Sequence, residues 1–479
     1  MQYAFLIDNR RCIGCHACSV ACKTEHEVPL GVARTWVKYV EKGVFPETRR
    51  TFQVTRCNHC EDSPCVEICP TTALFRRKDG IVDFDPRACI GCKACMQGCP
   101  YDAIYIDPQT ETAAKCNFCA HRVEVGLEPP CVTVCPTQTI VAGDLDDPGS
   151  NISHLLGRFP TQVRKPEKGT KPKVFYIDGD AAALVPSAAP PASDYMWAQA
   201  PQQAAVPAAE GANAPRRTYA VKEQHRNSWG WKVSAYLWTK SLAAGAFLVP
   251  ALQSLITPWE RLRPGPVVVA LAFLALTGVL LVADLRQPKR FLWVLTRPQW
   301  RSWLVKGAYI IAGYGGLLAL QLLATLPFAR FELPRAVTVA TILFGAATAL
   351  YSAFLFGQAK GRDLWQSPLL GPHLVVQALA AGAALFKPAW LLWLLPLNGL
   401  IVAGEVFGRH ATEDARRAAH LIQDDPRFTT GVLAAGHLLP LALLWATPTT
   451  SVLASGFALF GLLVWEHLYV QAPQSIPLA

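Results

Sequence analysis

No cysteine occurs anywhere after Cys135, although all 16 of this 479-residue chain lie from Cys12 to Cys135. Charged residues are also scarce, 17% against 51% hydrophobic, which is too apolar for an ordinary soluble protein. The N-terminus, MQYAFLIDNRRCIGC, has no charged segment leading into an apolar core, so it is not read as a secretory signal. Arg10-Arg11 runs straight into cysteines and not into an apolar stretch, which excludes a usable twin-arginine signal. If the N-terminal region ever sits outside the cytoplasm, another subunit must carry it there. The net charge of +10 invites a nucleic-acid reading, but no recognition module or basic-aromatic groove is present, and nucleic acid is not an expected partner. Basic loops facing anionic lipid or a partner subunit explain the charge more economically.

The cysteines form four groups of four: Cys12, Cys15, Cys18, Cys22; Cys57, Cys60, Cys65, Cys69; Cys89, Cys92, Cys95, Cys99; and Cys116, Cys119, Cys131, Cys135. The first and third read C-x2-C-x2-C-x3-C, the run by which bacterial ferredoxins hold [4Fe–4S] clusters. A disulfide framework suits a short secreted chain, which this is not. Zinc sites set one close cysteine pair against another many residues away, whereas here four cysteines crowd into one short run. Four thiolates per cubane give four clusters with none left over. The second and fourth groups, with wider gaps from Cys60 to Cys65 and from Cys119 to Cys131, gain weight from the other two.

Residues 1–180 are expected to form the cluster domain. Between the second and third groups, TTALFRRKDGIVDFDPRAC reads as two short strands joined at Lys78-Asp79-Gly80. A hairpin flanked by cysteine groups is the layout of a two-cluster ferredoxin, in which each group's fourth cysteine ligates the other group's cluster. Cys57, Cys60 and Cys65 are then expected with Cys99, and Cys89, Cys92 and Cys95 with Cys69. By elimination Cys12, Cys15 and Cys18 go with Cys135, and Cys116, Cys119 and Cys131 with Cys22. Pro70, Pro100 and Pro136 follow three of the four terminal cysteines; Lys23 breaks the pattern. Arg11, Lys23, Arg56, Lys93 and Lys115 can offset cluster charge, although each alone reads equally well as a solvated surface residue.

Residues 181–227, rich in Ala, Pro, Gln and Ser, are too poor in large apolar residues to bury a core and read as a linker. Beyond it, in residues 228–479, come eight apolar stretches long enough to cross a hydrocarbon layer of roughly 30 Å. They run approximately 231–255, 267–285, 302–326, 335–357, 368–387, 389–408, 430–447 and 450–468. Tryptophans near their ends suit an interfacial belt. The expected architecture is thus an α+β ferredoxin-like cluster domain followed by an all-α eight-helix transmembrane bundle. Loops on the cluster-domain side hold Arg286, Lys289, Arg290, Arg297, Arg301, Lys360, Arg362, Arg409, Arg416, Arg417 and Arg427; the others hold only Arg261, Arg263, Arg330, Arg335 and Lys387. By the positive-inside rule the cluster domain faces the cytoplasm from the inner membrane, unless these loops dock the acidic face of a redox partner.

On these residues the chain resembles two known families joined. Residues 1–180, with KCNFCAHRVEVGLEPPCVTVCP above all, resemble the four-cluster electron-transfer subunits of molybdopterin oxidoreductases such as the dimethyl sulfoxide, polysulfide and formate enzymes. Residues 228–479, through ADLRQPKRFLWVLTRP and YSAFLFGQAKGRDLWQSPLL, are similar to NrfD-type quinone-reactive membrane subunits. The resemblance implies electron exchange between the quinone/quinol pool and a molybdopterin catalytic subunit on a separate chain, since no molybdopterin-binding domain fits here. Fold-level analogy fixes neither substrate nor direction.

Ionisable groups inside spans are costly and therefore functional candidates. Tyr236, Lys240, Asp284, Arg290, Tyr351 and Glu405 are the candidate quinone residues, the first three foremost. Lys240 reads equally as a snorkelling lysine, Asp284 and Arg290 as a loop brace, and Tyr351 as packing. A b-type haem needs facing histidines, and His437 and His467 in the late spans do not suggest one. Two rival readings are a proton-translocating complex, for which Lys240, Glu405 and Glu466 look too few and too much to one side, and a hydrogenase-linked quinone-reactive complex.

Overall fold

The structure is a computed structural model that describes residues 1–189, 214–219, 228–256, 263–325, 333–446 and 448–479. It divides into two compact units, Met1–Arg226 with Pro477–Ala479, and Asn227–Ile476. Most of the expected 181–227 linker lies outside the described residues.

The first unit is small α/β structure. Its strands are β1 (Tyr3–Asp8), β2 (Trp36–Lys42), β3 (Arg49–Thr55), β4 (Leu74–Arg76), β5 (Val82–Phe84), β6 (Ile104–Ile106), β7 (Ala113–Lys115), β8 (Ile140–Asp144), β9 (Thr161–Gln162), β10 (Val174–Ile177) and β11 (Arg216–Tyr219). A four-stranded sheet has the order β8-β1-β10-β9. Central β1 pairs antiparallel with β8 and parallel with β10, and its Ala-Phe-Leu-Ile run is buried throughout, as a strand covered on both faces requires. A second sheet has the order β11-β2-β3, so four residues inside the expected linker are an edge strand. Two hairpins complete the unit, β4–β5 and β6–β7. The first turns at Gly80, whose φ of +78° suits glycine, while the Asp79 carboxylate accepts from the Ile81 N–H.

Short helices fill the spaces between the strands: α1 (Ala17–Glu25), α2 (Pro64–Ile68), α3 (Ala94–Gly98), α4 (Ala120–Val123), α5 (Pro130–Thr133), α6 (Asn151–Arg158) and α7 (Ala181–Leu184). The third cysteine of each group lies in one of them (α1, α2, α3 or α5), and the fourth follows four residues later. In α2 and α3 the helix stops at that fourth cysteine, and Cys69 (ψ 122°) and Cys99 (ψ 116°) are extended. Pro70 and Pro100 explain this, because a residue before proline is driven out of the helical region. In α1, where Lys23 replaces the proline, the helix runs on through Cys22 to Glu25.

The second unit is helical: α8 (Trp231–Ile256), α9 (Pro264–Asp284), α10 (Trp293–Thr296), α11 (Trp303–Thr325), α12 (Arg335–Gln358), α13 (Leu370–Phe386), α14 (Leu391–Phe407), α15 (Glu413–Gln423), a π-helical stretch Phe428–Leu438 that continues into α16 (Leu439–Ala446), and α17 (Ser451–Gln471). Among the described residues seven helices are long and apolar enough to cross a bilayer. The remaining apolar helix, α13, has 17 residues, fewer than the roughly 20 an upright span needs, whereas a 3-10 turn at Pro388–Trp390 extends α14 to the 20-residue span Pro388–Phe407. The protein is thus a multi-pass membrane protein by helix length and composition. The amphipathic α15 is capped by Thr412, whose hydroxyl accepts from the Ala415 N–H. Buried α8 packs on α9, α12, α13 and α17. Gly245 of α8 and Gly382 of α13 bring those two backbones together, and a Cβ on Gly245 would stand 1.9 Å from the Ala378 carbonyl oxygen. Gly436 and Gly461 do the same for the π-helical stretch and α17. The end of this unit at which α8 begins and α17 ends is its proximal end.

Candidate metal centres and a buried membrane site

Four rings of thiols emerge from the cysteine loops. Cys12 faces Cys15, Cys18 and Cys135. Cys119 faces Cys22, Cys116 and Cys131, and these four line one cavity. Cys65 faces Cys57, Cys60 and Cys99. Cys92 and Cys95 face Cys69 and Cys89, and these four line a second cavity. The rings succeed one another, because Cys18 neighbours Cys131, Cys116 neighbours Cys57, and Cys95 neighbours Cys65. Among the described residues no three His, Cys, Asp or Glu side chains come together tightly enough to hold a single metal ion. Each ring brings together the four-thiolate donor set of a cubane, and two of them line cavities.

The surroundings fit an anionic group. Burial pushes the Cys12 thiol up to about 11 and the Cys22 thiol up to about 12, so at neutral pH neither ionises without a metal to hold its thiolate. Left-handed residues, Gly14 and His16, His59, Gly91 and Lys93, Phe118 and Cys119, curl the loops inward, and the N–H groups of Gly14, His59, Gly91 and Phe118 turn towards sulfur. Gly91 and Ala113 donate to Cys89 Sγ (both 3.4 Å), and Thr139 donates to Cys135 Sγ (3.2 Å).

Arg56, 1% exposed, is the strongest observation in this unit. Its Nη1 donates to Cys131 Sγ (3.3 Å), its guanidinium lies 4.4 Å from the Phe5 ring centroid, and its Nε and Nη2 have no protein partner among the described residues. The charges facing it belong to Cys131, Cys116 and Cys18, thiols of two different rings. A buried guanidinium without a carboxylate is untenable unless some other anion is present. Lys115 is also buried, bonded to the Val82 and Cys116 carbonyls. Arg11 is exposed, and Lys23 braces its own loop through the Pro29 and Val32 carbonyls. Two histidines also reach sulfur. His26 Nε2 lies 3.1 Å from Cys119 Sγ. His59 accepts from the Val82 N–H at Nδ1 (3.2 Å), which leaves Nε2 to carry the hydrogen towards Cys116 Sγ (3.7 Å). Burial, with Lys115, Lys173 and Arg56 nearby, keeps His59 neutral.

In the second unit Lys240 is wholly buried, and its ammonium donates to the Ala349 carbonyl (2.9 Å) and Ser352 Oγ (2.8 Å), 5.1 Å from the Tyr351 ring centroid. Tyr236 and Tyr351 both lie beside Ser352, and the Tyr351 ring rests on Gly307 of α11. Three of the six candidates, Tyr236, Lys240 and Tyr351, therefore form one buried cluster around Ser352. Asp284, half-buried at the end of α9, bears on Tyr236 electrostatically. Arg290 instead lies over Trp293, 5.2 Å from its ring centroid. Glu405 is placed apart, hydrogen-bonded to His373 Nδ1 (2.6 Å).

The charge facing Lys240 is Glu466 of α17, whose Oε1 accepts from Gln377 Nε2 (2.7 Å). His373 and Gln377 were not singled out from sequence. Their signal is the spacing of four that puts both on one face of α13. His437 donates from Nδ1 to the Val432 carbonyl (2.8 Å) and faces Asn398 with Nε2 (3.0 Å). Arg362, expected as a loop charge, is buried and holds the Pro473 and Ile476 carbonyls.

Residues 48–145 match the family described as 4Fe-4S dicluster domain, and residues 220–397 match that described as Polysulphide reductase, NrfD. A tetrathionate reductase subunit of Salmonella typhimurium is 46% identical over 189 residues, 39% of this protein and 76% of the relative. A polysulfide reductase chain of Wolinella succinogenes is 43% identical over 181 residues, 37% of this protein and 94% of the relative. The arsenate respiratory reductase iron-sulfur subunit of a Shewanella species is 35% identical over 225 residues, 37% of this protein and 96% of the relative. The protein therefore belongs to the family of iron–sulfur subunits that includes these tetrathionate, polysulfide and arsenate reductase relatives, continued in one polypeptide by an NrfD-type membrane domain.

Proposed function

We propose that this protein is the electron-transfer and membrane-anchor subunit of a molybdopterin oxidoreductase complex. It passes electrons between the membrane quinone pool and a catalytic subunit on another chain. The supporting observation is the succession of four thiol rings, each beside the next. In this reading the first unit is ferredoxin-like, and Cys12, Cys15, Cys18 and Cys135, Cys22, Cys116, Cys119 and Cys131, Cys57, Cys60, Cys65 and Cys99, and Cys69, Cys89, Cys92 and Cys95 each hold one [4Fe–4S] cluster. Bound clusters supply one-electron carriers; the polypeptide supplies their ligands, their N–H donors and the Arg56 charge.

In the second unit α13 is the eighth span, its shortness accommodated because it is packed inside the bundle against α8, α12, α14 and α17. Tyr236, Lys240 and Tyr351 line the quinone site, with Asp284 at its edge; Arg290 and Glu405 lie outside the first contact. The cluster unit lies on the cytoplasmic face of the inner membrane, a reading supported by the basic loops at the proximal end. The test is to purify the full chain anaerobically with cluster assembly intact, insert it into liposomes and add a short-chain quinol. Expected are about sixteen iron atoms per polypeptide and cluster EPR signals that appear on quinol addition. An iron-free protein would overturn the cluster reading, and a loaded protein that quinol cannot reduce would overturn the quinone reading.

A further inference from the structure

Five buried polar side chains on four helices descend from the proximal end of the membrane unit in order of depth. Glu405 is two residues from the end of α14, and its partner His373 three from the start of α13, so both lie about 3–5 Å in. Gln377 is one turn deeper on the same face of α13, and Glu466, five residues from the end of α17, meets it about 8–10 Å in. Lys240, nine residues into α8, is about 14 Å in, beside Tyr236 and Tyr351. Glu466 is influenced by Lys240 on one side and by His373 and Glu405 on the other, while the ammonium of Lys240 is itself bonded to Ala349 and Ser352, so the step between Lys240 and Glu466 needs an intervening water. None of the five is more than 2% exposed.

The hydrogen-bonding capacity of these groups is not used up. Glu405 Oε1, His373 Nε2 and Gln377 Oε1 are buried with no partner among the described residues. A set built only to brace helices would close its own bonds, because an orphaned polar atom in a bundle costs free energy. Open valences on alternating carboxylate, imidazole and amide groups are what a chain of mobile protons and intervening waters needs. The other ionisable groups facing this set are Tyr469 of α17, on which Glu405 and Glu466 act, and His437, on which His373 acts.

We infer that Glu405, His373, Gln377, Glu466 and Lys240 form a proton line connecting the proximal face of the bundle with the Tyr236–Lys240–Tyr351 cluster. The inference rests on the quinone reading of that cluster. When quinol is oxidised there, two electrons leave singly for the clusters and two protons leave through Lys240 and Glu466 towards Glu405. When quinone is reduced, the same groups deliver two protons inward. Lys240 is the member that faces the ring; Gln377 and His373 act through their neighbours and are positioning residues.

The experiment uses the full cluster-loaded protein in liposomes, oxidising a short-chain quinol with ferricyanide as the final acceptor, across a pH series and in heavy water. Glu405→Gln and Glu466→Gln are each expected to lower kcat at least tenfold with KM for quinol unchanged, to alter the pH profile, and to enlarge the solvent isotope effect. Glu405→Asp, which keeps the titrating group, is expected to restore the wild-type pH profile. Iron content and dithionite-reduced EPR spectra equal to wild type establish that each variant is folded and loaded. Should the glutamine variants match wild type in kcat, pH profile and isotope effect, the proton line is overturned and the quinone reading stands. Should wild type itself fail to oxidise quinol, the quinone reading falls and the line with it.

Discussion

Arg56 in the first unit and Lys240 in the second are both fully buried cations, yet the polypeptide treats them differently. Lys240 has Glu466 facing it, and beyond that a second carboxylate and an imidazole, all supplied by the polypeptide. Arg56 faces only thiols, and two of its N–H-bearing nitrogens have no partner among the described residues. A membrane interior that must exchange protons holds both signs of charge in its own side chains. A wire that must hold electrons leaves the negative charge to its cofactors. The difference predicts what each unit loses when something is taken away.

Removing iron should have the largest effect, and in one unit only. Stripped of clusters, the first unit keeps Arg56 and Lys115 buried with their counter-charge gone, and its sixteen thiols lose the bonds that tie its short helices together. Limited proteolysis in detergent is expected to cut the stripped protein throughout residues 1–180 while the helices from α8 to α17 stay intact. Equal resistance of stripped and loaded first units would show that the fold does not lean on its metal.

Next in size are single ligand losses, which test how the rings are shared. Cys69→Ser should abolish the EPR signal that Cys92→Ser abolishes and leave that of Cys65→Ser, although Cys65 is its neighbour in sequence; Cys99→Ser should do the reverse. If Cys69 and Cys65 variants lose the same signal, the crossed arrangement is wrong.

Arg56→Gln should be milder and confined to two centres. Removing a positive charge beside Cys18, Cys116 and Cys131 is expected to make the two flanking clusters harder to reduce by at least tenfold in equilibrium constant. For one-electron centres that is about 59 mV downward in potential. The rings at Cys65 and Cys95 should hold theirs. Redox titration followed by EPR checks both the shifted and the unshifted centres.

What could be read from sequence divides along the same line. Cysteine spacing exposes a cluster site because sulfur ligands come in dense local runs, and Pro70 and Pro100 mark where a chain segment turns away from its own group. The specific role of Arg56 was not legible, since it was one of five basic residues near cysteines and nothing local separates a buried guanidinium from a solvated one. His373 and Gln377 were missed for a related reason: a single polar residue on an Ala- and Leu-rich helix looks incidental until the carboxylate on another helix is known. β11 was hidden by the Ala- and Pro-rich composition around it, and its partner β2 lies far away in sequence, where no local pattern points.

The smallest expected effect is the one that best separates the two ways of burying charge. In the membrane unit both members of the Lys240–Glu466 pair belong to the polypeptide, so both can be neutralised together. Lys240→Met alone strands Glu466, and Glu466→Gln alone strands Lys240. Each single change should cost roughly 3–5 kcal/mol, the usual penalty for leaving a buried charge without the opposite charge that faces it. The double variant leaves no charge behind, keeps an amide for Gln377 to meet, and fills the space of the lysine stem with a thioether of similar length. Its stability in detergent melts should therefore lie within about 1 kcal/mol of wild type. Quinol oxidation would still be lost, because neither remaining group carries a proton. No such rescue exists for Arg56, whose partner is not encoded in the sequence. A double variant as unstable as the sum of its singles would mean that Lys240 and Glu466 do not act as a pair, and the contrast between the units would fail at the point where it is easiest to measure.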